Sequence, residues 1–107
     1  MTEYSVVVTT TGSEEDACKL AHGLVEARLA ACVNIIPKVI SVYNWKGRVE
    51  QENEYLLYAK TRSSLIPAVR VFLEEHHPYE VPECIVLLIA DGYRAYLDWM
   101  GDWLRRD

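Results

Sequence analysis

Residues 32–61, CVNIIPKVISVYNWKGRVEQENEYLLYAKT, constrain the fold more than any other stretch of this chain. Two β-prone arms, Cys32–Trp45 and Val49–Thr61, flank Lys46-Gly47, a pair suited to a tight hairpin turn. Each arm is about 13 residues long, whereas strands usually run to ~5–6, the length that the first and last strands of this chain suggest. Pro37 interrupts the first arm. Because proline cannot donate to a ladder, it marks a bulge or an edge there, and the apolar phase shifts beyond it. Half of such a ribbon would overhang its own sheet. Val39, Ile40, Val42, Tyr43 and Trp45 would then stand in water beside unpaired edge groups, a state natural proteins avoid by covering or pairing them. The expectation is an oligomer in which each hairpin extends across a neighbouring copy. The alternative is a long twisted hairpin that curls over its own core.

The remaining elements follow from local pattern. EYSVVVTT, from residue 3, is β-branched and stops at Gly12, so it reads as a buried strand. Ser13 can cap a helix to about Ala31, with Glu14, Glu15 and Asp16 at its positive end and Ala17, Leu20, Ala21, Leu24 and Val25 at helical spacing. After the hairpin, Ser63 or Ser64 can cap a second helix carrying Leu65, Ile66, Val69, Phe72 and Leu73, and Pro67 falls in its first turn. HHPYEVPE, residues 76–83, leads into CIVLLIA, residues 84–90, a continuous apolar run that predicts a fully covered strand. Gly92 ends it, and Tyr93, Tyr96, Leu97, Met100 and Trp103 or Leu104 trace an amphipathic last helix. The class is α+β, and the order is the ferredoxin-like β-α-β-β-α-β sandwich with an extra C-terminal helix and a long β2–β3 hairpin.

Composition removes several functions. The 107 residues, half of them hydrophobic, fit one domain over 1–107. A net charge of −5 with no Lys/Arg stripe disfavours nucleic acid. No run approaches the length of a membrane span, and the start MTEYSVVVTTTG lacks signal-peptide character, so the expected setting is cytoplasmic, away from membranes. Cys18, Cys32 and Cys84 are odd in number, far apart and without a CxxC pair, and read as reduced, mostly buried thiols.

HHPYEVPE concentrates the polar chemistry. One reading is a stiff connector: each proline pushes the residue before it toward extended geometry and removes a donor, so the segment is expected not to be helical. The other is a ligand set, in which His76 and His77 offer imidazoles and Glu80 and Glu83 offer hard oxygens. Fully extended, His76 and Glu83 would lie roughly 23–25 Å apart, so the segment must turn back or a second copy must complete a site. Elsewhere, Lys60 and Arg62 stand where they could hold an anion with backbone N–H groups, or form only a solvated pair. Tyr43 and Trp45 read as interface anchors, and Trp99 and Trp103 as residues burying a face of the last helix. An enzyme using His76 or His77 as base is not expected, because neither HExxH nor GxSxG occurs.

EARLAACVNIIP at 26–37, SVYNWKGRVEQENEYLLYAKT at 41–61, HPYEVPE at 77–83 and YLDWM at 96–100 together closely resemble the CutA family, described as divalent-cation tolerance proteins. The resemblance implies a ferredoxin-like subunit in a homotrimer joined through long hairpins. It also implies kinship in architecture with the trimeric PII signal proteins, which bind small effectors in clefts between subunits. A copper site proposed for bacterial members maps onto His76 and Glu83, with His77 in reserve. The cysteine of that site falls at Thr10, and a hydroxyl is a far weaker soft-metal ligand than a thiolate. The implied ligand is therefore Cu(II) or another divalent cation, not tightly bound. The rival reading is a PII-like signalling or scaffold trimer that takes a small effector or a partner at its clefts.

Overall fold

The computed structural model describes residues 1–106. In chain order it runs β1 (Tyr4–Thr11), α1 (Glu14–Glu26), β2 (Cys32–Trp45), β3 (Arg48–Arg62), a 3-10 turn (Ser63–Leu65), α2 (Ile66–His76), β4 (Ile85–Leu88) and α3 (Arg94–Trp103). The four strands form one antiparallel sheet in the order β2-β3-β1-β4.

The hairpin dominates the shape. β2 and β3 pair from Cys32↔Lys60 to Trp45↔Arg48, but β1 meets only the Tyr55–Arg62 half of β3. Residues 48–54 therefore pair with β2 alone, and the molecule is drawn out to 44 × 25 × 22 Å. Lys46 (φ 52°) and Gly47 (φ 80°) both take left-handed backbone, as a two-residue turn matched to strand twist demands, and Asn44 Oδ1 accepts from Gly47 N at 3.1 Å. Pro37 sits at a register shift between Ile36 and Val39, where Lys38 has φ 60°, and β2 is also an edge. Bulge and edge thus coincide, and the bulge resets which side chains face which way.

Two clusters make the interior. Val7, Leu57 and Ala59 of the sheet pack against Leu20, Leu24, Val69 and Leu73 of α1 and α2. Tyr4, Leu65, Leu97, Met100 and Leu104 form the second, which seats α3. Gly23 lets α1 approach α2 closely, since a Cβ there would stand 2.6 Å from Cζ of Phe72.

Four sequence expectations change. α1 ends at Glu26 rather than near Ala31, because Arg28 takes φ 62° while Arg28 N bonds Val25 O and Leu29 N bonds Leu24 O. This is a Schellman end with arginine where glycine is usual, and its guanidinium lies 4.3 Å over the Trp103 ring. Neither Ser63 nor Ser64 caps α2 through its side chain; Ser63 Oγ instead pairs with Ser5 Oγ at 2.6 Å. CIVLLIA yields only the four-residue β4, and all four of its residues are exposed within one chain, from 39% at Val86 to 60% at Leu88. Trp99 and Trp103 do not bury a helix face either, being 52% and 40% exposed, although Trp103 Nε1 donates to Val25 O.

Candidate functional site

The HHPYEVPE connector folds in two parts. His76 is the last residue of α2, contrary to a wholly non-helical segment, because a proline restricts only the residue immediately before it. His77, the residue so restricted, turns extended at φ −73°, ψ 135° and ends the helix. Its ring is buried. Nε2 donates to Thr10 O at 2.9 Å and Nδ1 accepts from Tyr79 N at 3.1 Å, so both nitrogens are engaged and the tautomer is fixed. Burial pushes the imidazole below its usual range, against the pull of the Thr10 carbonyl, Asp16 and Glu54.

With His77 pinned, Tyr79 points toward the hairpin. Its Oη donates to Glu54 Oε2 at 2.7 Å, and both burial and that carboxylate push the phenol well above its ordinary range. Gly12 makes the room: a Cβ there would stand 3.3 Å from Tyr79 Oη. Glu54 is 8% exposed, a nearly buried carboxylate. Glu83 lies close enough that burial first, and Glu54 second, raise its carboxyl.

These groups form the inner end of an open groove of about 930 Å³ between the hairpin and the connector. Ser41, Tyr43 and Trp45 of β2 line it, with Glu50, Glu52 and Glu54 of β3, Thr10 of β1, and Tyr79, Glu80 and Glu83 of the connector. No Lys, Arg or His contributes to this lining. Strand alternation explains the composition, since Glu50, Glu52 and Glu54 occupy every second position of β3 and share one face. Tyr43 stands opposite Glu50 in the ladder, and its phenol is pushed up first by hydrogen bonding to Glu52.

Of the sequence candidates, Glu83 lines the groove, whereas His76 and His77 do not. His76 is exposed, stacks on Phe72 with ring centroids 4.1 Å apart, and directs Nδ1 to Phe72 O at 2.9 Å. Among the described residues no group of three or more His, Cys, Asp or Glu converges as metal ligands do. The Lys60–Arg62 pair is committed inside the chain. Lys60 Nζ donates to Tyr96 Oη at 3.0 Å, and that bond raises its ammonium. Arg62 holds Glu3 at 3.2 Å, Gly101 O at 3.3 Å and Arg105 O, which fastens the end of α3. All three cysteines are free and half-buried. The β3 carboxylate row escaped the sequence reading, although its alternation, E-x-E-x-E over residues 50–54, is a legible signal.

Fold and groove together define an α+β protein, a four-stranded antiparallel sheet with three helices, that presents a carboxylate-lined cleft to solvent. The family model described as CutA1 divalent ion tolerance protein matches residues 5–102, and the chain belongs to that family. The divalent-cation tolerance protein CutA of Thermus thermophilus is 48% identical over 97 residues, covering 91% of this chain and 94% of its own length. Mouse Protein CutA is 46% identical over 96 residues, 90% of this chain and 54% of its own length. The chain thus spans about half the length of the mouse and human relatives. Among solved structures, the Cut A1 divalent cation tolerance protein from Thermus thermophilus superposes with TM-score 0.92 at 45% identity, covering 95% of this chain and 99% of its own. CutA1 from Oryza sativa gives TM-score 0.94 at 40% identity, with 97% and 95% covered. Among the described residues no helix is long and apolar enough to cross a membrane.

Proposed function

We propose that this protein works as a homotrimer of ferredoxin-like subunits that binds divalent cations, copper among them, at clefts between copies. The observation that carries the reading is the overhang: residues 48–54 of β3 pair with β2 alone, and Ile40, Val49 and the whole of β4 stand exposed. Apolar surface of this kind favours cover by another chain, at ~25 cal/mol for each Å² removed from water. A neighbour would also restore the cover that the apolar sequence of β4 anticipates.

For the cation, the carboxylate-lined cleft, the family's description and the relatives' names support the reading. His76 and Glu83 remain the candidate ligands. With its proton on Nδ1 held by Phe72 O, His76 would keep Nε2 as an outward ligand, the arrangement common in metal-bound histidines. Glu83 would supply oxygen, and a second copy would bring the two together. His77 serves only if its ring leaves the Thr10 and Tyr79 contacts. Thr10, with a hydroxyl where a thiolate would suit soft ions, favours Cu(II) over Cu(I). A non-enzymatic role and a cytoplasmic setting complete the reading; three unbridged cysteines suit a reducing compartment, while relatives from Arabidopsis and Archaeoglobus are named chloroplastic and periplasmic.

Calorimetric titration of Cu(II) into wild type and His76→Ala tests it. Saturable binding that weakens at least tenfold in the variant is expected; equal or negligible binding in both would end the copper claim.

A further inference from the structure

We draw no further inference here: the strongest candidate, the carboxylate row that Glu50, Glu52 and Glu54 present along the groove beside the overhanging hairpin, belongs to the site already described and carries nothing beyond it, because Glu50 already pairs with Arg48 at 3.8 Å and the buried, unpartnered hydroxyl of Thr9 does not line the groove.

Discussion

Tyr79 Oη donates a 2.7 Å hydrogen bond to Glu54 Oε2, tying the connector after α2 to the part of β3 that extends beyond β1 and pairs with β2 alone. Three local facts produce it. Pro78 turns His77 extended, the buried His77 ring holds Tyr79 N through Nδ1, and Gly12 leaves space for the phenol. The root of the overhang is therefore anchored by a polar contact that also shapes the groove.

Removing that donor should be costly. Tyr79→Phe leaves Glu54, 8% exposed, without its phenolic partner, and a hydrogen bond to a charged group is worth about 1.5–3 kcal/mol. Urea denaturation should show a loss of that size. A change below about 0.5 kcal/mol would mean that water replaces the phenol freely.

His77 predicts a pH dependence with a definite sign. Burial holds it below 6.5, so the unfolded chain binds this proton more readily; its contribution is present above pH 6.5 and is lost as pH falls through that value. Glu83 works the other way, since a carboxyl raised above 4.5, by burial first and then by Glu54, favours the folded state as pH falls through its raised value. Between pH 7.5 and 6 the histidine should dominate, with a loss below about 1 kcal/mol. His77→Gln should flatten that part of the stability profile. An unchanged slope would remove His77 from the account.

Arg62 should prove essential to the last helix. Its guanidinium reaches Glu3, Gly101 O and Arg105 O from a side chain 12% exposed, and it lies 5.7 Å from the Tyr4 ring centroid. Lysine keeps the charge but not the fork. Arg62→Lys should cost about 1.5–3 kcal/mol and speed amide exchange selectively in α3. Uniform exchange across the chain would argue against a local clamp.

The apolar face of the overhang should govern assembly. Ile40→Asp places a charge at a side chain that is 65% exposed within one chain, so the fold of that chain should survive. If a second copy covers the site, the buried charge should shift the population toward single chains at micromolar concentration. An unaltered assembly state would move the interface elsewhere.

Much of this architecture was legible in the sequence because it rests on local chemistry. Lys46-Gly47 marked the turn, Pro37 marked a bulge or an edge where both in fact occur, and the observed β2 spans the expected Cys32–Trp45. The end of α1 was not legible. Leu29 and Ala30 continue the apolar spacing, and arginine rather than glycine takes the left-handed position, with the Trp103 ring beneath it. The exposure of β4 was missed because an apolar run reports the need for cover and not which chain supplies it. At the site, the connector announced its histidines, but the pinning of His77 by Thr10 O, sixty-seven positions away, depends on tertiary contact. The groove needed both connector and hairpin, and only folding places Glu83 beside Glu54.

The central claim is that a hairpin extending beyond its own sheet commits this chain to assembly with its copies. Sedimentation equilibrium of the wild-type protein at micromolar concentration tests it most directly. The account predicts a particle of three times the 12.3 kDa chain mass, and a stable, monodisperse particle of 12.3 kDa would contradict it.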